Sequence, residues 1–115
     1  MKNIEDLTKD VVKFRDARDW KQFHNPKDAA ISLLLEASEV LEHFQWKNKE
    51  EIDKYIVENK DDIGEELADV LYWILLMSHD LDIDLPTAFA YKLKKSGEKY
   101  PVEKAKGNHK KYTQL

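Results

Sequence analysis

Apolar residues recur at helical spacing through most of this 115-residue chain. The first repeat begins after Asn3, a suitable N-terminal cap, and continues through Phe14 toward Trp20. Asn25 followed by Pro26 predicts the start of a second helix. The apolar stripe of this second helix consists of Ala30, Leu33, Leu34, Ala37, Val40, Leu41 and Phe44. No segment alternates convincingly in the manner of a strand, so the pattern predicts an all-α protein.

Three further helices follow from the same periodicity. Asn48 and Glu51 have capping-box spacing before a weaker third helix. A fourth is predicted from about Ile63 to Leu81, and its inner stripe consists of Leu67, Val70, Leu71, Ile74, Leu75 and Ser78. Asp84 precedes a fifth helix, which fades in the polar stretch KKSGEKYP. We therefore expect one domain over residues 1–115, with a helical body at about 1–95 and a tail at about 96–115.

The stripes of the second and fourth helices are longer than one small monomer can cover. Burial of apolar surface stabilises by about 25 cal/mol per Å², and a chain of 115 residues has a modest core unless chains associate. We expect a compact bundle of four to five helices that is completed by association with identical chains.

The charges are divided between an acidic body and a basic tail. Residues 1–90 carry 11 basic and 21 acidic side chains, whereas residues 91–115 carry eight lysines and two glutamates. Such a tail can serve solubility or attract nucleic acid. Alternatively, its lysines hold an anion while the acidic groups of the body bind a cation. Composition does not distinguish these functions.

Composition excludes several other classes of protein. The chain is 42% hydrophobic and 37% charged, and no apolar run is long enough to span a membrane. It contains no cysteine, which excludes disulfides and thiolate metal sites. The N-terminal sequence MKNIEDL lacks the apolar region of a secretory signal, so the expected location is cytoplasmic.

Acidic residues flank both long apolar stripes at the same spacing. Glu36 and Glu39 differ by 300° around the second helix, which leaves 60° of arc between them. Glu66 and Asp69 repeat this arrangement on the fourth helix. If the two stripes pack together, the four carboxylates meet at the edge of the core and repel one another unless a cation lies between them.

Four carboxylates from two helices suit a hard, oxygen-seeking ion such as Mg²⁺. The alternative is that the four acids are solvated surface charge, which the spacing alone leaves open. A di-metal bundle that activates oxygen would require Glu-x-x-His pairs, and neither Glu36 nor Glu66 has a histidine three residues later.

The carboxylate pattern E-x-x-E, a spacer and E-x-x-D resembles that of the all-α MazG-like nucleoside triphosphate pyrophosphohydrolases. The likeness extends to the branch that contains the dCTP pyrophosphatases and covers nearly the whole chain. Five blocks carry it in order: RDARDWKQFHNPK at 15–27, EHFQWK at 42–47, EELADVLYW at 65–73, KYPVEKAKG at 99–107 and KKYTQL at 110–115.

The resemblance implies hydrolysis of a nucleoside triphosphate, such as dCTP or a related dNTP, between the α and β phosphates, giving the monophosphate and pyrophosphate. It implies Mg²⁺, with Mn²⁺ as a substitute, held by Glu36, Glu39, Glu66 and Asp69. Among these acids we select Glu39 as the general base, because it stands between the others. The implied role is nucleotide-pool house-cleaning, and the implied assembly is a homotetramer built as a dimer of dimers. The alternative is a non-enzymatic helical module whose lysine-rich tail binds nucleic acid.

The resemblance also implies substrate contacts. Trp20 and Trp46 match tryptophans that line the base pocket, and Trp73 takes the position of a substrate-contacting tyrosine. Val11 stands where the better-known dCTP enzymes have a histidine, so strict dCTP preference does not follow. Candidates to hold the β and γ phosphates are Lys92, Lys99, Lys106 and Lys111.

Two of the four histidines, His24 and His43, lie within the resembling blocks. His43 lies on the same side of its helix as Glu36 and Glu39. There it is able to hydrogen-bond to the metal ligands without binding the metal itself. For both His24 and His43, however, we expect a position at the surface.

Overall fold

The computed structural model describes residues 1–115 and contains only helices. There are six α-helices and two short 3-10 helices, at Lys21–Phe23 and Tyr112–Gln114. The α-helices are α1 (Ile4–Ala17), α2 (Pro26–Glu42), α3 (Lys49–Glu58), α4 (Lys60–Asp80), α5 (Leu85–Lys99) and α6 (Val102–Ala105). None of them is both long and apolar enough to cross a membrane. The predicted all-α class is confirmed.

Four helices begin at the side-chain caps that the sequence predicts. Asn3, Asn25, Asn48 and Asp84 each accept a hydrogen bond from the backbone amide three residues later. At Asn3 and Asn48 the third residue of the helix also accepts a hydrogen bond from the backbone of the cap, which completes a capping box. These local bonds satisfy amides that the helix itself leaves unpaired, and they fix where each helix begins.

The structure differs from the predicted helices at the start of α4 and within the predicted tail. Helix α4 begins at Lys60, three residues before the predicted Ile63, because Asn59 alone separates it from α3. Asn59 makes no side-chain capping bond to α4, so the usual sequence signal for a helix start is missing. The second difference is α6, a single turn after Pro101 within the region that was predicted as tail.

The chain forms two compact units, Met1–Asp82 and Ile83–Leu115. In the first unit α4 packs against α1, α2 and α3, and most extensively against α2. Ala29, near the start of α2, and Met77, near the end of α4, line the same cavity, whereas the acids of both helices meet further along. Helices α2 and α4 therefore run antiparallel. The second unit contains α5, α6 and the second 3-10 helix.

The apolar core of the single chain is small. Only Ala29, Leu75 and Leu76 are buried apolar residues, and the neighbouring Ala30, predicted on the inner face of α2, is exposed. Three leucines of the predicted stripes are more than half exposed: Leu34 (69%), Leu41 (59%) and Leu67 (54%). Much of the apolar surface of α2 and α4 is thus left uncovered by the chain itself.

An ion pair between a buried arginine and a partly exposed aspartate joins α1 to the end of α4. Arg15 is fully buried, and its Nη1 donates a hydrogen bond of 2.6 Å to Asp80. Its Nε donates a longer one, of 3.2 Å, to Asp16. Burial lowers the pKa of Arg15, but the hydrogen bond and charge of Asp80, followed by those of Asp16, outweigh it and the pKa is raised. Arg15 is therefore a charged residue within the core.

Candidate metal centre

The four predicted carboxylates converge between α2 and α4. Glu36 and Glu39 project from α2, Glu66 and Asp69 from α4, and one oxygen of each lies within 4.8 Å of the others. Glu36 and Glu66 are partly buried, whereas Glu39 and Asp69 are exposed. Two of the four carboxylates are therefore partly shielded from solvent, and the other two are open to it.

Crowding raises the pKa of the two inner acids. For Glu36 the main cause is burial, followed by a hydrogen bond that its neutral form can donate to Glu39 and by the negative charges around it. For Glu66 the main cause is the hydrogen bond that its neutral form can donate to Glu39, followed by burial and the charges of Glu39 and Asp69. Both carboxylates are thus less stable as anions here than in water.

The inner oxygens have the character of cation ligands. Oε2 of Glu36 and Oε2 of Glu66 are buried and receive no hydrogen bond, and no lysine or arginine forms a salt bridge with any of the four acids. Buried carboxylate oxygens without a partner are costly, and a divalent cation among four such groups removes both the repulsion and the missing contacts. The residues present therefore fit a hard divalent ion.

The two histidines are less exposed than expected. Nδ1 of His24 and Nε2 of His43 are buried without a hydrogen-bond partner, so the expected surface position is wrong for these ring nitrogens. The other ring nitrogen of His43, Nδ1, lies 2.6 Å from the hydroxyl of Tyr55 on α3. Nothing in the sequence pattern pointed to Tyr55, because its side chain comes from a different helix.

The three tryptophans occupy different settings. Trp73 lies one turn after Asp69 on α4, with its ring 5.1 Å from that of His24. Trp20, 41% exposed, packs edge-to-face on Phe14 with centroids 5.8 Å apart. Trp46 is 91% exposed and has a φ of 67°, a left-handed conformation that is uncommon for a bulky residue. Trp46 therefore presents its whole ring to solvent from a strained turn after α2.

A separate cavity of about 320 Å³ lies where the start of α2 meets the end of α4. Its lining includes His24, Asn25, Met77 and Asp80, and none of the four acids of the cluster. The cavity and the carboxylate cluster are thus different features of the first unit.

The candidate phosphate-binding lysines all belong to the second unit. Lys92 and Lys99 are on α5, Lys106 follows α6, and Lys111 precedes the second 3-10 helix. All four are exposed. Nζ of Lys99 lies 4.9 Å from the centre of the Tyr112 ring, close enough for a cation–π contact.

Comparison with known proteins identifies the family. Residues 31–115 match the MazG-like family. The chain is 34% identical to dCTP pyrophosphatase 1 of Rattus norvegicus over 114 residues, which cover 97% of this chain and 67% of that protein. For the Homo sapiens protein of the same name the identity is 32% at the same coverage.

A solved structure agrees with this relationship. The crystal structure of a pyrophosphatase from Archaeoglobus fulgidus is 34% identical to this chain, with a TM-score of 0.81. The likeness covers 88% of this chain and 94% of that one. The fold, the extent of the match and the level of identity lead to one conclusion: the chain belongs to the MazG-like family.

Proposed function

We propose that this protein hydrolyses (deoxy)nucleoside triphosphates, with dCTP or related dNTPs as the preferred class, to the monophosphate and pyrophosphate. The observation that carries the proposal is the convergence of Glu36, Glu39, Glu66 and Asp69 within 4.8 Å of one another. The relatives named dCTP pyrophosphatase and the related archaeal pyrophosphatase support the same chemistry. Removal of noncanonical or surplus deoxynucleotides is the cellular role that follows from this activity.

The four acids are proposed as ligands of Mg²⁺, with Mn²⁺ as a substitute. When bound, the cation supplies neutralisation of the phosphate charge. Glu39 is proposed to take a proton from the attacking water. It lies on the solvent-exposed side of the cluster, with a carboxylate oxygen within 4.8 Å of those of the other three acids. A carboxylate that can reach the water is able to act as a general base.

The substrate contacts remain proposals drawn from the sequence. Trp46 offers an exposed aromatic face on which a base can stack, and Trp20 and Trp73 are proposed to complete the grip on the base. Lys92, Lys99, Lys106 and Lys111 are proposed to bind the β and γ phosphates, because an ammonium group suits a strongly hydrated anion.

We also propose that the protein assembles as a homotetramer, a dimer of dimers. The exposed Leu34, Leu41 and Leu67 supply apolar surface that association would bury. Light scattering coupled to size exclusion tests this directly, since each chain has a mass of 13.6 kDa. A monomer at micromolar concentration would overturn this part of the proposal.

A product assay tests the activity. The protein is incubated with each dNTP and NTP in Mg²⁺ or in EDTA, and the products are separated by anion-exchange chromatography. The expected result is the monophosphate with pyrophosphate in Mg²⁺ and no product in EDTA. Orthophosphate released with a diphosphate would indicate cleavage at another bond, and absence of turnover across the panel would refute the enzymatic proposal.

Two variants connect the activity to the cluster. Glu39→Gln and Asp69→Asn are expected to lower turnover by at least about 100-fold, the usual scale for loss of a general base or ligand. Both should remain helical by circular dichroism, because fewer like charges then repel one another. Glu65→Gln is the matched control, since Glu65 is exposed beside Glu66 but is not part of the cluster. Unchanged rates in both test variants would place the site elsewhere.

A further inference from the structure

His43 lies in line with the acids of α2. It follows Glu36 by seven residues and Glu39 by four, and its backbone remains helical, with φ of −62° and ψ of −29°. Two turns of helix return a side chain to within about 20° of the same direction. His43 therefore continues the row formed by the two glutamates, toward the C-terminal end of α2.

Tyr55 holds the His43 ring from the other side. The Tyr55 hydroxyl lies 2.6 Å from Nδ1 of His43, and Lys47 Nζ lies 4.3 Å from the centre of the Tyr55 ring. Tyr55 is itself partly buried on α3. With one ring nitrogen engaged in this way, the direction of the opposite nitrogen, Nε2, is fixed.

The surroundings of Nε2 determine which nitrogen carries the proton. Nε2 is buried without a partner, and so are Oε2 of Glu36 and Oε2 of Glu66. A positive charge on His43 would lower the pKa of Glu66, so the ring lies near enough to that carboxylate to influence it. Near a carboxylate, a lone pair on Nε2 would be repelled, whereas an N–H group would be attracted. The consistent arrangement is that Tyr55 donates to Nδ1 and that Nε2 carries the hydrogen.

We propose that His43 is a positioning residue of the metal centre, whose Nε2–H group, fixed by Tyr55, orients the Glu66 carboxylate through a bridging water. The proposal rests on the metal centre in the proposed function. Nε2 of His43 and Oε2 of Glu66 make no direct hydrogen bond in the structure, and the bridging water is part of the proposal. Groups of this kind hold a ligand in its binding orientation, and their removal typically weakens metal binding by about 10–100-fold.

Metal affinity in the absence of nucleotide is the measurement that tests this role. Mn²⁺ is titrated by calorimetry into the wild type and into His43→Gln and His43→Asn. Glutamine places an amide nitrogen near the position of Nε2, whereas asparagine reaches only the position of Nδ1. We expect His43→Asn to weaken Mn²⁺ binding by about 10-fold or more, and His43→Gln to stay within about threefold of the wild type.

Tyr55→Phe removes the hydroxyl and keeps the ring. We expect it to weaken Mn²⁺ binding less than His43→Asn, and to add nothing when the two changes are combined, because Tyr55 acts through His43. His79→Asn is the control, since His79 is an exposed histidine in the last turn of α4. Its affinity for Mn²⁺ should equal that of the wild type.

The outcomes separate this proposal from the proposed function. If the wild type binds Mn²⁺ and His43→Asn binds it equally well while melting at a lower temperature, His43 is structural only and the proposal is overturned. Equal weakening in His43→Gln and His43→Asn would refute the role of an N–H donor at Nε2. If the wild type itself does not bind Mn²⁺, the proposed metal centre is refuted, and the role of His43 is refuted together with it.

Discussion

The ion pair between Arg15 and Asp80 provides a direct test of how α1 is held against α4. Asp80→Asn keeps the size of the side chain and an acceptor oxygen but removes the charge opposite a guanidinium that is fully buried. Asp16 then remains the only acid bonded to Arg15, through Nε at 3.2 Å. The substitution therefore leaves the buried positive charge of Arg15 balanced only by Asp16.

The size of the effect follows from the exposure of the partners. Breaking a buried ion pair costs about 3–5 kcal/mol in general. The Asp80 side chain is 28% exposed, so solvent already weakens the interaction, and asparagine still accepts a hydrogen bond. We expect Asp80→Asn to lower the free energy of unfolding by about 2–3 kcal/mol. Asp16→Asn, with a side chain that is 51% exposed, should cost less than about 1 kcal/mol.

Urea unfolding, followed by circular dichroism at one fixed protein concentration, measures both variants. A double variant, Arg15→Met with Asp80→Leu, supplies the complementary case, because an apolar replacement of both partners removes the stranded charge. It should recover most of the stability that Asp80→Asn loses. If Asp80→Asn and Asp16→Asn lose the same small amount, the pair does not anchor α1 and the reasoning is refuted.

Three further predictions concern the acids, the exposed tryptophan and the core. Because the folded pKa values of Glu36 and Glu66 are raised, the stability that their neutral forms contribute is complete at low pH and is lost as the pH rises through those values. Melting curves of metal-free protein should show a smaller loss in Glu36→Gln, and Mg²⁺ should restore stability to the wild type at neutral pH. Trp46→Gly should leave urea stability unchanged or slightly higher, since φ is positive there, while the KM for nucleotide rises. Equal KM values would remove Trp46 from the base site. Leu76→Ala, at a side chain 1% exposed, should cost about 2–5 kcal/mol in the same unfolding assay, and a loss under 1 kcal/mol would mean that this small core does not govern stability.

Helix starts could be predicted from the sequence because they depend on neighbouring residues. The cap at Asn25 and the proline after it act within one turn, and the structure places the start of α2 there. The convergence of the acids could also be predicted from the sequence, because the spacing of Glu36 and Glu39 places both beside an apolar stripe. Where the local signal is absent, as at Asn59, the predicted boundary was three residues late.

Long-range partners could not be predicted in this way. Arg15 and Asp80 are 65 residues apart, and nothing near either one marks it as buried. The Tyr55–His43 contact similarly depends on how α3 returns against the end of α2. Periodicity identified the apolar faces of α2 and α4 and indicated that one chain cannot cover them, but it did not show which residues, such as Leu34, remain exposed.

The unbroken length of α4 sets a constraint on insertions and deletions. Glu66, Trp73 and Asp80 follow one another at intervals of seven residues, so they share one side of a helix of 21 residues. One extra residue inserted between Asp69 and Asp80 would rotate the Arg15 anchor by about 100° relative to the carboxylates. Insertions and deletions inside this helix would therefore put one end out of register with the other.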